Sequence, residues 1–215
     1  IEAVLADGTV IPALNRMVKN NSGFDLKHWF IGTEGTLGVI TRAVLRLREA
    51  PRSRCSALLA LDSFDAVTRL LKHLDAGLGG ALSAFEVMWR EFYEVVAQPP
   101  VRAQAPLPVT HPFYVLCETM GGDPEADAAR FERVLAAALE DGLAADAVLA
   151  DGEARQADLW KLRDSVEALF AFGPSQIFDV SLPVSAMADY VARVEQGIAA
   201  VYAGGAPVHL RSPTA

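Results

Sequence analysis

The sequence predicts an α+β protein in two parts: a short, glycine-punctuated β-rich piece, then a larger layer of strands and helices. Three observations predict it. Gly23, Gly32, Gly35 and Gly38 break an otherwise apolar stretch near the start. Ala50-Pro51-Arg52 interrupts the β-rich run that follows and is the best domain boundary. Beyond it, short β-type runs alternate with segments of helical period. That order gives two βαβ-type units on one antiparallel or mixed sheet covered by helices.

The elements follow in chain order. Val4 to Ala6, Asp7-Gly8 and Thr9 to Ile11 read as a hairpin with a two-residue turn. Gly35 to Leu47 is a glycine turn leading into a β-rich stretch. Ala57 to Leu61 is a strand. Ser63 caps a helix with Phe64, Val67, Leu70, Leu71, Leu74 and Leu78 on one face, and Gly79-Gly80 stops it. Leu82 to Met88 is a strand leading into a short helix over Glu91 to Ala97. Gln98 to Pro112 holds five of the twelve prolines and is a loop. Phe113 to Thr119 is a strand. Asp123-Pro124 opens a helix with proline at its first position, Phe131, Val134, Leu135 and Leu139 inward, and Gly142 at its end. Ala147 to Leu149 is a short strand, Glu153 to Phe170 a helix, and Ile177 to Leu182 a strand. Ser185 caps a last helix through Val201, with Met187, Val191, Val194 and Ile198 inward.

Composition bounds the function. The chain has 215 residues, 52% hydrophobic and 21% charged, which is a folded globular composition with room for a core. A net charge of -8 speaks against nucleic acid as a general partner. The charge is uneven: residues 1–50 carry six Lys/Arg against five Asp/Glu, and residues 51–215 carry 13 against 22. The first part is therefore the better host for an anionic cofactor. Cys55 and Cys117 are the two cysteines, too few for a disulfide scaffold or a thiolate metal site. They read as small hydrophobes, and a reduced, cytoplasmic setting is expected. No apolar run reaches the roughly 18–20 residues of a membrane span. Ile1 to Gly8 has no signal-peptide pattern and opens mid-strand without Met, so the chain reads as a fragment.

Chemistry concentrates in the glycine block. Asn21-Ser22-Gly23-Phe24-Asp25-Leu26 is followed by Phe30-Ile31-Gly32-Thr33-Glu34-Gly35-Thr36-Leu37-Gly38-Val39-Ile40-Thr41. Such a cluster serves either close approach of the backbone to a flat or charged ligand, or tight turns between short strands. The block resembles the end of the flavin-binding domain in the FAD-linked oxidase family that includes D-lactate and D-2-hydroxyglutarate dehydrogenases. There the pattern runs N-[TS]-G-[YF]-D-L, then F-I-G-[ST]-E-G-T-L-G-[IV]-I-T. The resemblance implies a remnant of a flavin-binding domain over residues 1–50. It also implies a ferredoxin-like α/β cap domain with a mostly antiparallel sheet over residues 51–215, truncated or divergent at its end.

It further implies FAD, with Asn21, Gly32, Glu34, Gly35, Gly38, Val39 and Ile40 along the flavin ring. Flavin would carry the redox chemistry, and the protein would supply position and electrostatics. Lys19 either neutralises a phosphate or is simply solvated. Leu159-Trp160-Lys161-Leu162-Arg163-Asp164 resembles the family helix whose arginine binds the substrate carboxylate, a task that suits a planar guanidinium. The alternative for Arg163 is a surface pair with Glu167 at i+4. Ile177-Phe178-Asp179-Val180-Ser181-Leu182-Pro183 resembles the family strand K-x-D-[VI]-S-[VL]-P, with Ile177 where the lysine stands. Asp179 either orients neighbouring groups or ties down a turn.

Val208-His209-Leu210 resembles the start of H-x-G-D-G-N-x-H, which in the family binds a divalent metal such as Zn or Mn. Arg211 to Ala215 departs from that motif, so His209 is a lone candidate ligand. No catalytic residue is assigned. The resemblance implies oxidation of a small, D-lactate-like 2-hydroxy acid, with an unspecified electron acceptor. The competing expectation is a catalytically silent interaction or assembly module. Free strand edges also leave a route to self-association.

Overall fold

Glycine and short β-runs shape the first unit, residues 1–50, and long periodic segments shape the second, residues 51–215. Both come from a computed structural model that describes residues 1–99, 101–102, 104–172, 178 and 180–201.

In the first unit, β1 (Glu2–Val4) pairs antiparallel with β2 (Val10–Pro12) and β3 (Val39–Arg42), giving the order β2-β1-β3. The expected hairpin is present, but its turn is longer. Val4 pairs with Val10, Leu5 N–H donates to Thr9 O at 2.9 Å, and Gly8 N–H donates to Leu5 O at 3.0 Å. Asp7 accepts from Thr9 N–H at 2.9 Å, so its carboxylate closes the loop in place of a two-residue turn. A 3-10 helix spans Leu26–Trp29. Burial here is slight: Ala3 is fully buried, while Phe24, Val18 and Trp29 are exposed.

The second unit is a four-stranded antiparallel sheet. Its strands are β4 (Ser53–Leu61), β5 (Leu82–Trp89), β6 (Phe113–Gly121) and β7 (Asp146–Leu149), in the order β5-β6-β4-β7. Helix α1 (Phe64–Leu78) links β4 to β5, and α3 (Pro124–Glu140) links β6 to β7. This is the split βαβ arrangement of ferredoxin-like folds, as the resemblance implied. The short α2 (Arg90–Val96) follows β5, and α4 (Glu153–Asp164) and α5 (Val184–Val201) follow β7.

Strand alternation gives the sheet two buried faces. Ala57, Leu59, Leu61, Val87, Trp89, Val115 and Cys117 face α1 and α3, where they meet Val67, Leu70, Leu74, Phe131, Val134 and Leu135. The opposite residues, Leu58, Ala60, Met88, Tyr114 and Leu116, meet Phe92, Tyr93, Val96, Leu159 and Leu162 of α2 and α4.

The helix signals work locally. Ser63 Oγ accepts from Ala66 N–H at 3.1 Å and Gly79 takes φ +61° at the end of α1. Asp123 Oδ1 accepts from Ala126 N–H at 3.1 Å at the start of α3, with Pro124 at its first position. Leu139, expected inward, is 39% exposed, and Ala138 is buried in its place. The proline-rich loop after α2 is held by Tyr93, whose hydroxyl donates to Leu107 O and accepts from Leu107 N–H, both at 3.0 Å.

Two further expectations change. The helix expected over Glu153 to Phe170 stops at Asp164. Ser165 Oγ donates to Lys161 O at 2.6 Å, and a 3-10 segment, Val166–Phe172, continues. The Ser165 N–H donates to the same carbonyl at 3.1 Å, so Ser165 caps the α-helix with both its amide and its hydroxyl. The strand expected over Ile177 to Leu182 is not seen. Phe178 and Val180 to Leu182 form no regular element, and Ile177 and Asp179 lie outside the described residues. Pro183 then precedes a helix that starts at Val184, one residue before the expected cap Ser185.

Candidate functional site

In the first unit, the glycine block is a sequence of turns. Thr36 N–H donates to Thr33 O at 3.0 Å, and between them Glu34 and Gly35 have φ +51° and +83°. Two successive positive φ values mark a type I′ turn. Glycine suits the second position, whereas Glu34 holds the left-handed region at a cost of about 1 kcal/mol. The Thr33 hydroxyl donates to Phe30 O at 2.9 Å and the Thr36 hydroxyl to Thr33 O at 2.7 Å, so each turn braces the next.

The glycines divide by role. A Cβ at Gly32 or Gly35 would meet no atom within 4 Å. A Cβ at Gly38 would stand 2.9 Å from the Val4 carbonyl oxygen and 3.1 Å from the Phe30 ring. Gly38 is therefore small because β1 and Phe30 crowd it. Gly32 and Gly35 leave bare backbone open to a flat group, flanked by the exposed side chains of Glu34, Val39 and Ile40. Asn21 and Lys19 are also exposed. This strip is exposed backbone between exposed side chains.

In the second unit, polar side chains gather on the α2/α4 face of the sheet. Glu118 of β6 is buried at 2% exposure within an apolar strand. Its Oε2 accepts from Ser56 Oγ on β4 at 2.9 Å and from Trp160 Nε1 on α4 at 2.7 Å. Arg54 Nε lies 3.5 Å from Oε1. Gln156 Nε2, one turn earlier on α4, donates to Arg54 O at 2.6 Å. A buried carboxylate needs compensation: Ser56 and Trp160 supply hydrogen bonds to Oε2 and Arg54 a positive charge beside Oε1, while Trp160 and Gln156 fasten α4 to the sheet.

Arg163 lies on the same helix, in its last turn, where a cation complements the helix dipole. Its Nε is 3.4 Å from Glu86 Oε2 on β5, and its Nη1 is 3.3 Å from Asp164 Oδ1. Among the described residues its ion partners are Glu86 and Asp164, and not the Glu167 of the i+4 alternative. Partial burial works against the guanidinium's charge, but the nearby Glu86 and Asp164 outweigh it and hold the pKa above its ordinary value. Nη2 has no partner among the described residues. The guanidinium is thus charged, partly buried and able to take another anion.

Sequence reasoning misses Arg54, Ser56, Glu86 and Glu118, and it reaches Trp160 only as a neighbour of Arg163 in Leu159 to Asp164. A signal existed: one glutamate sits in each of two apolar runs, Phe85-Glu86-Val87 and Cys117-Glu118-Thr119. Among the described residues no group of three His, Cys, Asp or Glu side chains is placed to hold a metal ion. His209 lies outside the described residues.

Comparison with known proteins sets the chain in a family. Residues 50–208 match the family described as FAD linked oxidases, C-terminal domain. A protein of Oryza sativa subsp. indica named "Probable D-2-hydroxyglutarate dehydrogenase, mitochondrial" is 39% identical over 194 residues, covering 89% of this chain and 34% of that protein. D-2-hydroxyglutarate dehydrogenase of Xanthomonas citri pv. viticola is 37% identical over 197 residues, covering 91% of this chain and 40% of that protein. The chain therefore spans little more than a third of these relatives. Among solved structures, an alkyldihydroxyacetonephosphate synthase superposes with a TM-score of 0.54 at 16% identity, over 80% of this chain and 32% of that one. That likeness concerns the fold alone. The two-faced antiparallel sheet, the glycine block and the match over residues 50–208 lead to one assignment: the chain belongs to the FAD-linked oxidases, through their C-terminal domain.

Proposed function

We propose that this chain binds and orients a small 2-hydroxy acid in an FAD-dependent dehydrogenase that yields the 2-oxo acid. The observation that carries the reading is Arg163. A guanidinium held at Nε from the sheet, with Nη2 unpartnered among the described residues, suits a carboxylate. Relatives named D-2-hydroxyglutarate dehydrogenase support a 2-hydroxy acid over other substrate classes. Whether the acid is D-lactate-like or a dicarboxylate is decided by comparing the two as substrates of the complete protein.

The residues proposed to meet FAD are Asn21, Gly32, Glu34, Gly35, Val39 and Ile40, while Gly38, buried against Val4 and Phe30, supports them without touching the ring. Bound flavin supplies the hydride acceptor. This chain's part is positional. Bare backbone at Gly32 and Gly35 admits a flat ring, and the turn at Glu34-Gly35 fixes the strip's direction. Gly38 acts from behind, by letting β3 close on β1. Arg163 holds the substrate carboxylate and so restricts the orientations open to the hydroxyl-bearing carbon.

Two substitutions in the complete, FAD-loaded protein test this reading. Arg163→Met raises the KM for the 2-hydroxy acid about 100-fold, the loss of a charge-assisted pair being worth about 3 kcal/mol. Its calorimetric Kd for the 2-oxo acid rises in parallel. Val39→Glu, at a position 63% exposed and so tolerated by the fold, lowers FAD affinity about tenfold. Unchanged KM and Kd in the first variant would remove Arg163 from the substrate site. Full FAD content in the second would remove the strip from the flavin.

A further inference from the structure

Glu86 is a carboxylate that the proposed reaction does not use. It stands on β5 opposite Leu116 of β6, on the face covered by α2 and α4. Its side chain is 15% exposed, against 31% for Arg163. The two residues are 77 positions apart in the chain, so the pairing is tertiary. Asp164, the other partner of Arg163, is 60% exposed and adjacent in sequence.

The geometry divides the guanidinium into two edges. Glu86 meets Nε, the donor nearest the side chain's stem, and leaves Nη2 unpartnered among the described residues. An arginine without that contact has several torsions free and, at a helix end, turns outward to water. A carboxylate rooted in a β-strand removes much of that freedom before any ligand arrives. We infer that Glu86 is a positioning residue for Arg163, holding the guanidinium by Nε so that its Nη end meets the substrate carboxylate. This rests on the reading of Arg163 given above. Glu86 acts through Arg163 and touches no reacting atom.

The test uses the complete, FAD-loaded protein, with KM and kcat for the 2-hydroxy acid and calorimetric Kd for the 2-oxo acid. Glu86→Ala raises KM and Kd about tenfold with kcat within about twofold of the parent, because ordering of the binding group is lost while the chemistry is not. Glu86→Gln keeps an oxygen that accepts from Nε–H and stays within about threefold of the parent. Glu86→Asp keeps the charge but withdraws it by one methylene, and so also raises KM. It serves as the readout if Glu86→Ala fails to fold. Asp164→Asn leaves KM within about twofold, as expected for an exposed neighbour.

The inference is overturned if Glu86→Ala and Glu86→Asp bind like the parent while Arg163→Met binds weakly, in which case the substrate role of Arg163 stands alone. It is also overturned if kcat falls at unchanged KM, or if Glu86→Gln is as impaired as Glu86→Ala. If Arg163→Met itself binds like the parent, the substrate reading fails, and the inference with it.

Discussion

Two glutamates on one sheet face show how much burial and partners decide a residue's role. Glu118 is almost fully buried and receives Ser56, Trp160 and Arg54. Removing it strands a partly buried indole N–H and a buried hydroxyl. Glu118→Ala is therefore expected to lower the unfolding free energy by about 2–3 kcal/mol, read from urea unfolding, and Glu118→Gln by less. A midpoint equal to the parent's would mean water replaces the carboxylate. Among the described residues Glu86 is paired with Arg163, and it has more contact with solvent. Its removal is expected to change binding more than stability. Gly38 carries a similar lesson. From sequence alone, Gly38→Val is expected to lower the flavin affinity of the intact protein, by holding the backbone off the ring, while leaving the cap folded. The contacts with Val4 and Phe30 give a different cause, because the added methyls displace β1 and β3 first. Val39→Glu is the cleaner probe of the flavin strip.

At the scale of elements, α4 is the instructive case. Its periodicity continues past residue 164, yet the helix ends there, with the Ser165 amide and hydroxyl both donating to Lys161 O. That end places Arg163 in the last turn. Gln156, Trp160 and Arg163 then succeed one another along the sheet-facing side, each with a partner on a different strand or backbone group. The caps of α1 and α3, by contrast, are local and were readable from sequence. Asp123→Ala, which removes the acceptor for Ala126 N–H, is expected to lower stability by about 1 kcal/mol and to leave substrate affinity unchanged. A fall in substrate affinity would show that α3 transmits to the site.

For the second unit as a whole, pH links burial to stability. Burial pushes the Cys117 thiol from 9.0 up to about 12, and pushes Tyr93 from 10.0 up to about 12. Both groups hold their protons more tightly folded than unfolded. Their contribution to stability is accordingly complete below about pH 9 and declines as pH rises toward about 12. Urea midpoints at about pH 8 and about pH 11 should show that fall, and native Cys117 should resist a thiol reagent until the protein unfolds. Asp127 acts at the other end. The Ser53 hydroxyl and the Asp123 amide hold its carboxyl below the usual range, so its contribution is present above that range and lost on acidification.

Much of this molecule was determined by sequence alone. Period and caps placed α1 and α3, β-runs placed β4 to β7, Ala50-Pro51 marked the division, and the glycine block carried the family resemblance. These features depend on neighbours a few residues apart, which a linear reading sees. Tertiary structure decided the rest. Strand order β5-β6-β4-β7 brings Ser56 opposite Glu118, 62 positions away, and sets Glu86 under a helix 77 positions later. Alternation says which residues share a face, but not which face meets α4. That follows from how the strands pair and where the helices cross, and pairing is settled by burial over the whole sheet.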